Sequence, residues 1–333
     1  MKIDPTKSKL VFDVKHESPL HSCMFDPSGR FVLCGGRSRE LVVVDVASRK
    51  KSLLPGHDSW IESIARAGTD LVLTGDYVGR IIAWDCSGAE PKQRWNREAH
   101  ASAIHAISVS VDGKTFATCD HDGFVRTWHT SDGKRLHELP QIDFPVYGVA
   151  LHPDGSRIVT VDLKPIKPRI KVSEIVSGKE QLVIEVPEMS GYRRSEDVEW
   201  TGIRTLLLSP DGQTIVAGGR NGWDGVACLQ LFDMATGKPK RKLLSTLKNA
   251  TYYGAKYHPQ GFLLASAGEV GKGEVRIWNP QRDETLATIG TPGPCMGLDL
   301  HPSGESLAVA QMISPGGRQY PDSGLLSVYT WTA

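Results

Sequence analysis

The sequence has no excess of charge of either sign and no long apolar run. Lysine and arginine number 39 against 38 aspartates and glutamates, for a formal net charge of +1. This balance gives no global reason to expect a nucleic acid or an anionic membrane as partner. No stretch approaches the roughly 18 apolar residues of a membrane-spanning helix, and the first residues lack a signal-peptide core. We therefore expect a cytoplasmic protein that binds neither nucleic acid nor membranes.

Motifs for metal binding and catalysis are also missing. None of the six cysteines forms a C-x-x-C pair, so buried free thiols are expected rather than a zinc site. The P-loop and the G-x-S-x-G nucleophile elbow are absent. His21, His105 and His121 could converge on one metal ion, but their spacing fits no metal motif. The sequence thus predicts no cofactor, no metal site and no catalytic residue.

What the chain does contain is a short turn that recurs. Six such turns end in Gly29, Gly113, Gly155, Gly212, Gly261 and Gly304. The intervals between these glycines are 84, 42, 57, 49 and 43 residues, and the first holds two periods of 42. Seven units of about 40–45 residues indicate a repeat protein.

Each unit contains four short apolar segments separated by turns rich in glycine, proline and aspartate. In one unit, for example, residues 147–151 and 157–161 flank such a turn. Segments of this kind predict antiparallel strands, and no helical periodicity competes with them. Four-stranded units of this length are typical of propeller blades, which bury their faces against each other around an axis. The predicted fold class is all-β, a seven-bladed β-propeller.

The two ends of the chain predict how the ring closes. The last unit supplies only three strands, and the segment 8–14 has no partner in the first unit. We expect this N-terminal strand to become the fourth strand of the last blade, which leaves no open edge. Residues 1–333 would then form one domain. Its predicted blades cover residues 18–56, 57–99, 100–142, 143–187, 200–248, 249–291 and 292–333.

The repeats resemble those of the WD40-repeat family. Trp84-Asp85 is a literal WD pair, and Gly56-His57 matches the GH signature of the family. Weaker WD equivalents are Val44-Asp45, Trp128-His129, Phe232-Asp233 and Trp278-Asn279. The style of the turns resembles bacterial members, which predicts a bacterial source.

The resemblance implies a hydrogen-bonded tetrad of His, Ser or Thr, Asp and Trp within a blade. Carried over by position, it falls on His100, Thr118, Asp122 and Trp128 in blade 3. Blade 2 offers His57, Thr74 and Trp84, but Val78 stands where the Asp is expected. Only blade 3 is therefore expected to have the complete network, which would serve a structural purpose.

The resemblance also implies that partners bind on the top face, around the mouth of the central channel. The anchors carried over by position are Trp60, Tyr147, Arg204, Tyr253 and Met296, with Arg37, Tyr77 and His121 in neighbouring turns. Enlarged loops are predicted on the same face at residues 162–169, 187–200, 220–226, 269–274 and 314–324. They add as contact residues Tyr192, Arg193, Arg194, Arg220, Trp223, Arg318 and Tyr320, because aromatic residues and arginine dominate binding hot spots.

The leading hypothesis is a non-catalytic platform that binds a protein or peptide through the top face and channel mouth. An acidic or phosphorylated partner is the narrower form of this hypothesis, and the chain is expected to be a monomer or a subunit of a hetero-complex. Two alternatives remain open. One is a propeller enzyme or small-molecule binder with its site in the top loops of blades 4–7. The other is a structural subunit of a larger assembly.

Overall fold

The computed structural model describes residues 3–193, 198–199, 202–223, 225–269, 271–314 and 321–331. Within these residues the chain forms seven four-stranded antiparallel sheets, which are the blades of a propeller, and one two-stranded hairpin. The innermost strand of each blade contacts the innermost strands of both neighbouring blades, so the seven sheets form a closed ring. The predicted seven-bladed β-propeller is therefore confirmed.

The first three blades follow one another along the chain. Their strands, from the axis outwards, are β2 (Leu20–Phe25), β3 (Phe31–Gly36), β4 (Leu41–Asp45) and β5 (Lys51–Leu54) in blade 1; β6 (Ile61–Ala67), β7 (Leu71–Asp76), β8 (Arg80–Asp85) and β9 (Lys92–Glu98) in blade 2; and β10 (Ile104–Val109), β11 (Thr115–Asp120), β12 (Val125–His129) and β13 (Arg135–Glu138) in blade 3.

Blades 4 to 6 repeat this order, and a short hairpin of β18 (Tyr192–Arg193) and β19 (Val198–Glu199) stands between blades 4 and 5. The strands are β14 (Val146–Leu151), β15 (Arg157–Asp162), β16 (Arg169–Glu174) and β17 (Glu180–Glu185) in blade 4; β20 (Ile203–Leu208), β21 (Thr214–Arg220), β22 (Val226–Asp233) and β23 (Pro239–Lys248) in blade 5; and β24 (Thr251–Tyr257), β25 (Leu263–Glu269), β26 (Lys272–Asn279) and β27 (Glu284–Thr291) in blade 6.

Blade 7 joins the two ends of the chain. It consists of β28 (Cys295–Leu300), β29 (Ser306–Ile313), β30 (Ser323–Trp331) and, outermost, β1 (Ser8–His16). Strand β1 runs antiparallel to β30, from Ser8 opposite Trp331 to His16 opposite Gly324. Phe12 of β1 is 7% exposed and belongs to an apolar cluster shared by blades 7 and 1. The predicted closure by the N-terminal strand is thus confirmed.

The apolar core lies between the blades. Every residue of β3 and of β7 is buried, because these middle strands are covered on both faces by neighbouring blades. The outermost strand β17 instead alternates between exposed and half-buried residues. All six cysteines are buried and free, and burial raises the pKa of Cys86 and Cys228 to about 12. Among the described residues, no helix combines the length and apolar character needed to cross a membrane.

A buried hydrogen-bond network ties together the loops of blade 3. His100 Nδ1 lies 2.7 Å from Oδ2 of Asp120, and His100 Nε2 lies 2.7 Å from Oγ1 of Thr118. Trp128 Nε1 donates to the same Thr118 hydroxyl at 2.8 Å. The predicted tetrad is therefore wrong at one position, since Asp120 and not Asp122 is its carboxylate. Asp120 ends β11 two residues after Thr118, so both side chains point to one face, whereas Asp122 lies in the exposed turn.

Blade 2 contains the same complete network, so the prediction that only blade 3 has it is wrong. His57 Nδ1 lies 2.9 Å from Oδ2 of Asp76, and its Nε2 lies 2.7 Å from Oγ1 of Thr74. Trp84 Nε1 donates to the Thr74 hydroxyl at 2.8 Å. Asp76, not the residue at position 78, fills the place of the carboxylate. In both blades the Asp also accepts backbone N–H groups of the turn that follows, which holds that turn in place.

Candidate functional site at the channel mouth

A β-bulge near the start of every innermost strand directs one side chain into the central channel. The pairing register of the innermost strand skips one residue in each blade, and the seven skipped residues are His21, Glu62, His105, Tyr147, Arg204, Tyr253 and Met296. A bulged residue has no partner in the ladder, and bulges commonly re-aim a side chain next to a functional site. All seven residues line one cavity of about 530 Å³ on the propeller axis.

The turns between the second and third strands are bound to the same mouth. The Tyr77 N–H donates to the Trp60 carbonyl at 2.9 Å, and the His121 N–H donates to the Ala103 carbonyl at 3.0 Å. Blades 1, 4 and 7 contain the equivalent backbone bond. Each of these turns is therefore fixed beside the residues that lead into the innermost strand. The two kinds of segment thus lie on one face of the propeller, which agrees with the predicted top face.

A row of aromatic and cationic side chains follows the mouth through blades 1 to 5. We call this row the aromatic arc, and its members are Arg37, Trp60, Tyr77, His105, Tyr147 and Arg204. The His105 and Tyr147 rings stack with centroids 3.9 Å apart, and the Arg204 guanidinium lies 4.3 Å from the Tyr147 ring centroid. The Tyr77 ring contacts His105 edge-on at 6.4 Å and Trp60 at 5.6 Å. Arg37 completes the row 5.3 Å from the Trp60 ring.

Glu62 is the carboxylate of the cavity wall, and it faces two histidines and an arginine. Its Oε2 lies 3.5 Å from His21 Nδ1. Burial by itself would raise the pKa of Glu62, but the contact with His21 and interactions with His105 and Arg204 hold that pKa below its usual range. The group is consequently an anion at neutral pH, and Arg204 is the permanently charged cation near it.

An ion cluster around Asp299 lies near the other ends of the innermost strands. This carboxylate is fully buried, accepts the Phe25 N–H at 2.9 Å and lies 3.5 Å from Nη2 of Arg66. Lys256, which lines the cavity, is hydrogen-bonded to the same carboxylate. The cluster joins blades 1, 2, 6 and 7 and pairs this lysine with a buried carboxylate.

The structure brings together most of the predicted mouth anchors. Tyr147, Arg204, Tyr253 and Met296 line the cavity, while Trp60 stands at its rim in the aromatic arc. These positions agree with the prediction from sequence, whereas the bulges that orient them were not predicted. The sequence does contain a signal for the bulges, since the residue after each bulge is small. These residues are Ser22, Ser63, Ala106, Gly148, Thr205, Gly254 and Gly297.

The predicted contact residues of the enlarged loops are less uniform. Arg220 lines the cavity, but its guanidinium donates to the carbonyls of Trp223, Asn249 and Ala250, which fastens two loops together. Tyr192 is half-buried in the hairpin between blades 4 and 5. Arg194, Arg318 and Tyr320, together with the side chain of Arg193, lie outside the described residues.

One of the predicted enlarged loops is absent. In blade 6 the strands β25 and β26 pair as far as Glu269 opposite Lys272, so residues 269 and 272–274 belong to the paired strands. In blade 4, by contrast, residues 163–168 form a true loop. Arg169 at its end donates to both oxygens of the buried Asp162, at 3.1 and 2.9 Å. In the described part of the chain, no group of three or more His, Cys, Asp or Glu side chains could hold a metal ion.

Comparison with known proteins supports the family resemblance. Residues 91–129 match the family model "WD domain, G-beta repeat". Autophagy-related protein 18 of Meyerozyma guilliermondii is 38% identical over 86 residues, which are 25% of this chain and 15% of that protein. Autophagy-related protein 16 of Arabidopsis thaliana is 26% identical over 194 residues, which are 57% of this chain and 35% of that protein.

A third relative is a complex subunit by name. Target of rapamycin complex subunit wat1 of Schizosaccharomyces pombe is 21% identical over 147 residues, which are 43% of this chain and 46% of that protein. The chain thus spans less than half the length of each of these three relatives. With the seven-bladed fold, these matches confirm the resemblance to WD40-repeat proteins. All three relatives are eukaryotic, so the predicted bacterial source is not supported.

Proposed function

For a propeller that resembles WD40-repeat proteins, we propose a non-catalytic platform that binds a protein or peptide at the channel mouth. The observation that carries this proposal is the aromatic arc. Two of its rings are exposed although they are large, since Trp60 is 41% and Tyr77 is 44% accessible. Tryptophan, tyrosine and arginine are the residue types that dominate binding hot spots, and here they stand in one row.

Rigidity of the arc supports the same proposal. Asp76 and Asp120 hold the turns that carry Tyr77 and His121, and the bulges fix the residues beside them. A partner that binds to side chains already held in place loses little ordering entropy in the platform. The mechanism is therefore presentation of a preformed surface and needs no chemical step.

The narrower proposal is an acidic or phosphorylated partner. Arg37, Arg204, Arg220 and Lys256 line the cavity together with one carboxylate, that of Glu62. Because Lys256 is already paired with Asp299, the arginines of the rim would supply the attraction. Association with other proteins, as a monomer that binds them or as a subunit of a hetero-complex, agrees with the name of one relative. A cytoplasmic location stays a prediction, which cell fractionation would test.

The test compares two triple variants with wild type as immobilised bait. Trp60→Ala, Arg204→Ala and Tyr253→Ala remove anchors at the mouth. Leu53→Ala, Arg94→Ala and Val183→Ala are the matched control on the outermost strands and their edge, where these side chains are also exposed.

Proteins that bind at the mouth should be captured by wild type and by the control but not by the mouth variant. Each captured protein is then purified and its affinity measured by calorimetry. Loss of one hot-spot side chain costs about 2 kcal/mol or more, so the mouth variant should bind at least about 30-fold more weakly. Identical affinities for wild type and the mouth variant would remove the channel mouth from consideration.

A further inference from the structure

Two histidines of blade 3 face each other at the rim of the channel. His105 Nε2 and His121 Nδ1 are 3.4 Å apart, with ring centroids 5.6 Å apart and ring planes inclined at 66°. This separation is at the long limit for a hydrogen bond between two nitrogens. It matches the distance of about 3.3–3.4 Å between two ligand nitrogens on a tetrahedral zinc ion, for zinc–nitrogen bonds of about 2.0–2.1 Å.

The His105 ring and the backbone of His121 are held in place by contacts that do not involve the facing nitrogens. His105 is the bulged residue of its strand, and its ring stacks on Tyr147 with planes 13° apart. His121 follows Asp120 directly, and its backbone N–H is bonded to the Ala103 carbonyl. The buried network of blade 3 thus positions one histidine, and the bulge positions the other. Such preorganisation is what a metal site requires of its ligands.

The orientation and access of the two rings suit a ligand pair. His105 Nδ1 is buried without a hydrogen-bond partner in the described structure, and Nε2 is the ring nitrogen that faces His121. His121 is exposed, so an ion can arrive from solvent.

We propose that His105 Nε2 and His121 Nδ1 form a two-histidine chelate for a divalent transition-metal ion, with Zn²⁺ as the best fit. Imidazole nitrogen suits Zn²⁺, Cu²⁺ and Ni²⁺. Water molecules occupy the remaining positions of the ion, which stays accessible at the mouth. His21 is not part of this site, because its Nδ1 contacts Glu62 in the neighbouring blade. The site goes beyond the proposed platform function and does not depend on it.

The test titrates ZnCl₂ into tag-free protein in a non-coordinating buffer at pH 7, by calorimetry. Three variants accompany wild type. His121→Asn removes one ligand, His121→Cys replaces it with a sulfur ligand, and His129→Asn removes an exposed histidine elsewhere in the same blade. Since His121 is exposed, its variants should unfold at the same temperature as wild type, which thermal melts verify.

Wild type and His129→Asn should bind one Zn²⁺ per chain. His121→Asn should bind it at least about tenfold more weakly, whereas His121→Cys should restore binding because thiolate is a zinc ligand. Titration with Co²⁺ provides a second readout, as a tetrahedral nitrogen-ligated ion gives a visible absorption band that His121→Asn should lose. Absence of saturable binding by wild type, or equal affinity in His121→Asn, would show a hydrogen-bonded pair of histidines and overturn the proposal.

Discussion

Replacement of Asp120 tests the buried network of blade 3 most directly. The residue is 1% exposed, and its carboxylate accepts the Phe124 N–H at 2.7 Å and lies 2.7 Å from His100 Nδ1. Asp120→Ala would remove the acceptor of both groups and leave His100 Nδ1 beside another donor, Arg126 Nη1, at 3.1 Å. An unsatisfied donor in a buried site costs about 1–3 kcal/mol, so the expected loss is about 2–5 kcal/mol of the free energy of unfolding. Asp122→Ala should change this free energy by less than about 0.5 kcal/mol, because the side chain is exposed.

The assay is urea unfolding at pH 7, followed by tryptophan fluorescence and by circular dichroism in parallel. Asp120→Asn should fall between the two alanine variants, since its amide keeps one acceptor oxygen. The two probes should report the same midpoint if the whole propeller unfolds together. A loss for Asp122→Ala as large as that for Asp120→Ala would refute the assignment of Asp120 to the network.

The remaining predictions concern ring closure and pH. Phe12→Ala should lower the free energy of unfolding by about 3–5 kcal/mol, because it leaves a cavity where blade 7 meets blade 1. Leu10→Ala on the same strand should lower it far less, since Leu10 is 45% exposed. Equal losses for the two variants in urea unfolding would contradict this prediction. Burial lowers the pKa of His105 to about 4, so below pH 6.5 the unfolded chain takes up a proton that the folded chain does not. The contribution of His105 to the free energy of unfolding should fall by at most about 1.4 kcal/mol for each pH unit from pH 6.5 down to pH 4. When the free energy of unfolding is measured across this range, it should therefore depend less steeply on pH in His105→Asn than in wild type.

The blades could be predicted because their turns depend on local conformation. Gly29, Gly113 and Gly155 all have positive φ angles, of 77°, 70° and 73°. Glycine adopts this conformation without the steric cost that other residues carry, so it returns at the same place in each repeat and makes the period visible. The apolar residues that open β3 and β7 indicate buried strands in the same way, since strands covered on both faces are rich in apolar residues.

The tetrad shows where the sequence was insufficient. The sequence predicts His100, Thr118 and Trp128 of the tetrad correctly, but it places the carboxylate in the turn, at Asp122. Which aspartate points inward depends on where β11 ends, because side chains alternate along a strand. If β11 ended two residues later, Asp122 would take the place of Asp120 at the end of the strand. The ends of strands are the feature that sequence patterns define least well.

The sequence by itself determined the number of blades, the closure of the ring by its first strand and the positions that surround the axis. Only the tertiary structure decided which side chains at those positions contact one another. His105 and His121 are 16 residues apart, and they meet because a bulge turns one toward the channel while a hydrogen-bonded turn holds the other. The period of the repeat indicates which residues are buried in strands and which residues form the turns. The contacts between side chains at the mouth depend on backbone bulges and on neighbouring blades, which the period of the turns does not define.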